Sequence, residues 1–136
     1  MKKYMLWISL LAVVGSMLSA CSGSTPSSPS LVGDWKLVSY NSTPALPDVD
    51  TAITFDADRV GGTVGCNSFG GDYKVDGGQI VFGEIVSTMM ACDDPRMQQE
   101  AAVFAVFVDT AIFKMDGDTL TITSKDSQYY VVLAKK

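Results

Sequence analysis

With 136 residues, ten Lys and Arg and fifteen Asp and Glu, the chain has room for one domain around one hydrophobic core and a formal charge of −5. That sign disfavours nucleic acid as a partner, because phosphates call for a basic stripe that this sequence lacks. It contains no histidine, which excludes Ser-His-Asp and Cys-His catalysis and histidine-based zinc sites, so any enzyme reading must rest on carboxylates, lysine or a bare thiol.

Lys2 and Lys3, an apolar run from Met5 to Val14 and small residues up to Ala20 read as a secretory leader over 1–20. The apolar run is shorter than the roughly 20 residues of a spanning helix, and it ends in Leu18-Ser19-Ala20-Cys21. Those four residues resemble a bacterial lipobox, which implies cleavage before Cys21 and a diacylglyceryl group on its sulfur; an ordinary leader cut after Ala20 is the alternative. Each acyl chain contributes about 0.8 kcal/mol per buried methylene, so two or three long chains hold a protein on a membrane. Ser22 stands where an aspartate, by resemblance to lipoproteins of diderm bacteria, implies inner-membrane retention. Serine therefore points to the outer membrane, facing the periplasm. Residues 21–30 form a lipidated tether whose SGSTPSSPS run has no charge and no large apolar side chain to offset its ordering entropy.

The globular part, 31–136, begins near Leu31. Trp35 to Tyr40 has strand composition, and Asn41 to Asp50 is a loop marked by Pro44 and Pro47. Ala52 to Asp56 is a second strand with Ile53 and Phe55 on one face. Gly61 and Gly62 then open a run of short strands, Thr63 to Cys66, Gly71 to Val75, Gln79 to Phe82 and Ile85 to Thr88. Asn67-Ser68, Asp76-Gly77-Gly78 and Gly83-Glu84 are the turns between them. After a helix come Ile112 to Met115, Thr119 to Thr123 and Gln128 to Ala134, the first two joined by Asp116-Gly117-Asp118. About eight short strands and one helix predict a mainly β (α+β) domain, a small antiparallel, barrel-like curved sheet with one packed α-helix. No internal repeat is evident.

In the helix, Asp94 is the expected cap and Pro95 the first helical residue, where its missing amide hydrogen leaves nothing unpaired. Met97, Ala101, Phe104, Ala105 and Val108 fall on one stripe and are the expected core face. Val103, Val106 and Phe107 leave little polar surface opposite. Either the helix is covered on more than one side, or these three residues offer an apolar strip to a partner.

With Cys21 assigned to lipid, Cys66 and Cys92 remain in a compartment where oxidation is usual, and they are expected to form a disulfide. Two buried free thiols or a metal pair are the alternatives, the latter poorly served by two sulfurs without histidine. Around these cysteines lie the Cys66-Asn67-x-Phe69-x-Gly71 run and the Thr88-x-Met90-x-Cys92 run, followed by the helix and the hairpin Asp116 to Leu120. Together they resemble the META domain, the family that includes the HslJ-like heat-shock lipoproteins, over about Leu31 to Leu133. The sequence departs from the family at Met89, where many relatives carry a basic residue. The resemblance implies a compact barrel-like sheet with a packed helix, an envelope lipoprotein and no established catalytic activity. It also implies contexts of stress response, drug tolerance, motility and secretion.

The residues read alone agree with a non-enzymatic protein. Without histidine nothing near Cys66 deprotonates the thiol efficiently, and Asn67 suits a turn. Asp93-Asp94 and Asp116-Gly117-Asp118 do not supply the six or more oxygens that calcium takes. Scattered acids could be imagined as a glycosidase pair, but none is singled out by spacing. Trp35, Phe69, Tyr73 and one of Met89 and Met90 are expected in the core. No catalytic residue, metal or cofactor is expected; the expected partners are the membrane, through the lipid, and an envelope protein. Two other readings are a small-ligand binder using the barrel mouth or interior and an inhibitor of a secreted hydrolase using Asn41 to Asp50. Oligomeric state is left open.

Overall fold

The computed structural model describes residues 29–136. The expected leader, the acylated Cys21 and the tether as far as residue 28 lie outside the described residues. The chain from residue 29 forms β1 (Gly33–Tyr40), β2 (Thr43–Pro44), β3 (Ala52–Phe55), β4 (Arg59–Thr63), β5 (Ser68–Asp76), β6 (Gln79–Phe82) and β7 (Val86–Ser87). Helix α1 (Asp94–Val106) follows, then β8 (Thr110–Asp116), β9 (Thr119–Ser124) and β10 (Tyr130–Lys135). Strands pair in the order β10-β9-β8-β6-β5-β4-β3-β1, every neighbour antiparallel, and β1 pairs back onto β10. The result is a closed eight-stranded antiparallel barrel, with β2 on β1 and β7 on β5 as short additions. Closure removes the open edges that a sheet of this size would otherwise expose.

Alternation builds the interior. Trp35 and Leu37, Ile53 and Phe55, Leu120 and Ile122, and Val131 and Leu133 are buried while the residues between them are less so, as the two-residue period of a strand requires. Leucine, isoleucine, valine and aromatic side chains fill the barrel as one cluster. The hairpins use the expected chemistry: Gly77 and Gly117 have φ of 60° and 57° at the first position of two-residue loops, where a side chain would be strained.

Two expectations for β4 and β5 need correction. Residues 59–63 form β4, so Gly61 and Gly62 lie inside a strand rather than ahead of one, and Val64 to Asn67 make the turn. Gly62 has φ 145° against β3, where an added Cβ would stand 1.9 Å from the Ala52 carbonyl oxygen. Glycine marks a close backbone approach here, a use that looks like a turn in sequence. β5 starts earlier than expected, at Ser68.

Antiparallel winding sorts the connections between two ends of the barrel. One end carries the β3–β4, β5–β6 and β8–β9 turns and the entry of the chain at Leu31. Leu31 is buried there, and its carbonyl accepts a bond from Trp35 Nε1 at 2.9 Å. The other end carries the Asn41 to Thr51 loop, the Val64 to Asn67 turn and α1, which closes it.

Candidate functional site

The two cysteine-containing runs meet at the end closed by α1. The backbone amides of Cys66 and Asn67 both donate to Glu100 Oε2, at 3.0 and 2.6 Å, and Asn67 Nδ2 donates to Glu100 Oε1 at 2.7 Å. Asn67 also reaches the other way. Its Oδ1 accepts from the Thr88 hydroxyl at 2.9 Å and from the Met90 amide at 2.7 Å, while Nδ2 donates to the Met90 carbonyl at 3.3 Å. Thr88 Oγ1 in turn accepts from the Ser68 amide at 3.2 Å. Asn67 is 2% exposed and Glu100 4%, so one amide and one carboxylate bind a turn, a short strand and a helix together inside the protein. Cys66 and Cys92 are joined by a disulfide with Cα atoms 6.0 Å apart, which ties the same turn to the start of the helix.

This is an architectural arrangement. Every hydrogen-bonding atom of the Asn67 side chain is used, and both Glu100 oxygens accept bonds from protein donors, which holds the two side chains in place. Phe69 is buried edge-on against Phe104 and Phe107, at centroid distances of 5.4 and 5.9 Å. Gly71 leaves room for the β6–β7 link, since a Cβ there would stand 2.6 Å from the Glu84 carbonyl oxygen and 2.6 Å from Ile85 Cδ1. Met90 contributes through its backbone, and its side chain is exposed.

Glu100 and its neighbour Gln99 were not singled out by sequence. Gln99 is fully buried, accepts from the Leu46 amide at 2.8 Å and donates to the Val64 carbonyl. Residues 99, 100, 103, 106 and 107 are spaced as one helix face. That face reads as mixed because two of its members are polar, which inverts the expectation for α1. Val103, Val106 and Phe107 are not a partner surface: all three are 0% exposed, and Phe107 stacks on Phe82 at 4.9 Å within the core. The stripe expected to face the core, from Met97 to Val108, is instead the outer one, half-buried or exposed along its length. The cap also differs. Asp93, not Asp94, is the N-cap residue, without a side-chain cap bond, and Asp93 lies 3.5 Å from Arg96 as an ion pair.

Between α1 and the 87–91 segment lies an open groove of about 360 Å³, bordered by Met89, Met90, Met97, Ala101 and Phe104, with Asn67, Thr88 and Glu100 also in its lining. Met89 is 97% exposed, so neither it nor Met90 enters the core. Trp35, Phe69 and Tyr73 are interior, as expected. Tyr73 donates its hydroxyl to the Asp56 carbonyl, and burial, with the Asp56 and Asp58 charges beside it, raises its pKa above the ordinary 10.0. The Asn41 to Asp50 loop is tied down by β2, by the Leu46–Gln99 bond and by an Asp48–Arg96 pair at 3.0 Å, with Ser42 to Pro44, Pro47, Asp48 and Asp50 exposed. Among the described residues no three His, Cys, Asp or Glu side chains are grouped to hold a metal ion, and no helix is long and apolar enough to cross a membrane.

The META domain family model matches residues 29–136. No curated protein matches the chain. Solved structures share the fold. One described as the protein from Burkholderia xenovorans, determined by NMR, is 20% identical, with a TM-score of 0.62 over 76% of this chain and 81% of that one. A second NMR structure is also 20% identical, with a TM-score of 0.64 over 76% and 88%. The crystal structure of a DUF4847 family protein from Bacteroides vulgatus is 17% identical, with a TM-score of 0.54 over 76% and 92%.

Proposed function

The chain belongs to the META domain family, and from that premise we propose a non-enzymatic lipoprotein of the cell envelope that supports envelope integrity or tolerance of stress and drugs through contacts with other proteins. The observation that carries this reading is that the polar groups of the family motif are consumed internally, on Asn67 and Glu100, while exposed methionines stand beside them. Cys21, preceded by Leu18-Ser19-Ala20, is the proposed lipid anchor, and Ser22 favours the periplasmic face of the outer membrane. Ligand binding in the barrel interior has less support, because Trp35, Phe55 and Phe107 fill it; the open hollows at the α1 end are the sites left to that alternative.

A photo-crosslinking residue at Met89 in living cells tests the proposal. A discrete protein adduct in the membrane fraction, lost when Cys21→Ser releases the chain from the membrane, is expected. Absence of any adduct, together with thermal stabilisation of the purified chain by a small-molecule extract of the envelope, would replace protein contact with ligand binding.

A further inference from the structure

The outer row of α1 is apolar where a surface helix is ordinarily polar. Met97, Phe104 and Ala105 are half-buried and Ala101 exposed, in line over about 12 Å at 1.5 Å per residue, with exposed Val108 just past the end of the helix and Met89 and Met90 beside the first half. A second open hollow of about 400 Å³, bordered by Ala105, Val108 and Tyr129, continues the row past the end of the helix. Exposed acids flank it: Asp94 at the head of the helix, and Asp109 and Asp126 at its foot, where both border the second hollow. Among the described residues, Lys125 borders the second hollow, and Arg96, next to Met97, is paired with Asp48 and Asp93.

We propose that this row is the docking site of a cationic amphipathic helix from a partner protein, its apolar side on Met89, Met90, Ala101, Phe104 and Val108 and its lysines or arginines toward the flanking acids. The inference rests on the protein-contact reading above and adds the surface and the partner's chemistry. The length of the row suits a helix lying along it, the mode in which residues spaced by three and four seat in an apolar groove. Methionines suit it too, since their unbranched, polarisable side chains repack around different apolar anchors. Charge selects among occupants. An anionic membrane surface would meet the acids with like charge, and so would a second copy of this chain, whose formal charge is −5.

The test titrates the purified full chain into a fluorescent Leu–Lys amphipathic peptide of about 14 residues, long enough for four turns, and into its Leu–Glu counterpart. Saturable binding at least ~10-fold tighter for the Leu–Lys peptide, weakened at high salt, is expected. Ala101→Lys and Val108→Lys should each weaken it by about 10-fold without changing the melting temperature, and Thr119→Lys, at the opposite end of the barrel, should leave it unchanged. Equal affinity for both peptides, no saturable binding, or indifference to Ala101→Lys overturns the proposal. Binding to anionic vesicles, or self-association, that Ala101→Lys abolishes also overturns it, by giving the row to a membrane or to a second copy. Failure with membrane adducts at Met89 still forming removes only the cationic partner; loss of those adducts as well removes the contact reading.

Discussion

Asn67 is the residue on which the closed end of the barrel depends. Sequence assigned it to a turn, which is correct, but the partners of its amide were not legible because Thr88, Met90 and Glu100 are 21, 23 and 33 residues away. Asn67→Ala deletes the groups that satisfy the Met90 amide and part of the Glu100 carboxylate in a buried site, so a loss of about 2–4 kcal/mol is expected, measured by urea unfolding with an unchanged slope. A loss below about 0.5 kcal/mol would show that the network contributes little. Tyr73 gives a pH dependence. Its folded pKa is raised by burial first and by Asp56 and Asp58 next, so the folded state holds the phenol proton more tightly than the unfolded chain. Its contribution is fully present below the ordinary 10.0 and is lost as pH rises through the folded value. Stability should therefore fall from about pH 10 upward, and Tyr73→Phe should flatten that part of the profile.

At the scale of elements, strand alternation and hairpin chemistry made most of the barrel readable, while β4 and α1 show where such reading stops. In β4 the glycines answer to a neighbouring backbone, a fact the local sequence does not contain. In α1 the buried face carries Gln99 and Glu100, whose hydrogen bonds offset their desolvation, so hydropathy alone chose the wrong side of the helix. The two faces separate by mutation. Val106→Asp places an unpaired carboxylate in the core and should cost about 4 kcal/mol or more, enough to unfold a marginal domain. Ala101→Lys, on the outer row, should change stability by less than about 0.5 kcal/mol in the same unfolding assay. Equal effects would mean that α1 is seated differently.

At the scale of the whole molecule, the closed barrel has one end finished by tight turns and Leu31 and the other by a helix held through a disulfide and a buried carboxylate. The cysteine pairing was readable because assigning Cys21 to a lipid leaves an even number; that Asn67 and Glu100 duplicate the same constraint was not. The disulfide spans 26 residues, for which loop-closure entropy gives about 3.5 kcal/mol. Reduction should lower the melting temperature while the chain stays folded at 25 °C, held by the Asn67–Glu100 bonds; complete unfolding on reduction would make the disulfide the sole fastening of that end. The central claim, an anchored and stapled scaffold in the envelope, is tested most directly by the intact mass of the protein purified from its native membrane, with thiol labelling before and after reduction. Acyl mass on Cys21 and two labels that appear only after reduction are predicted. An unmodified Cys21 in soluble protein, or two labels without reduction, would contradict it.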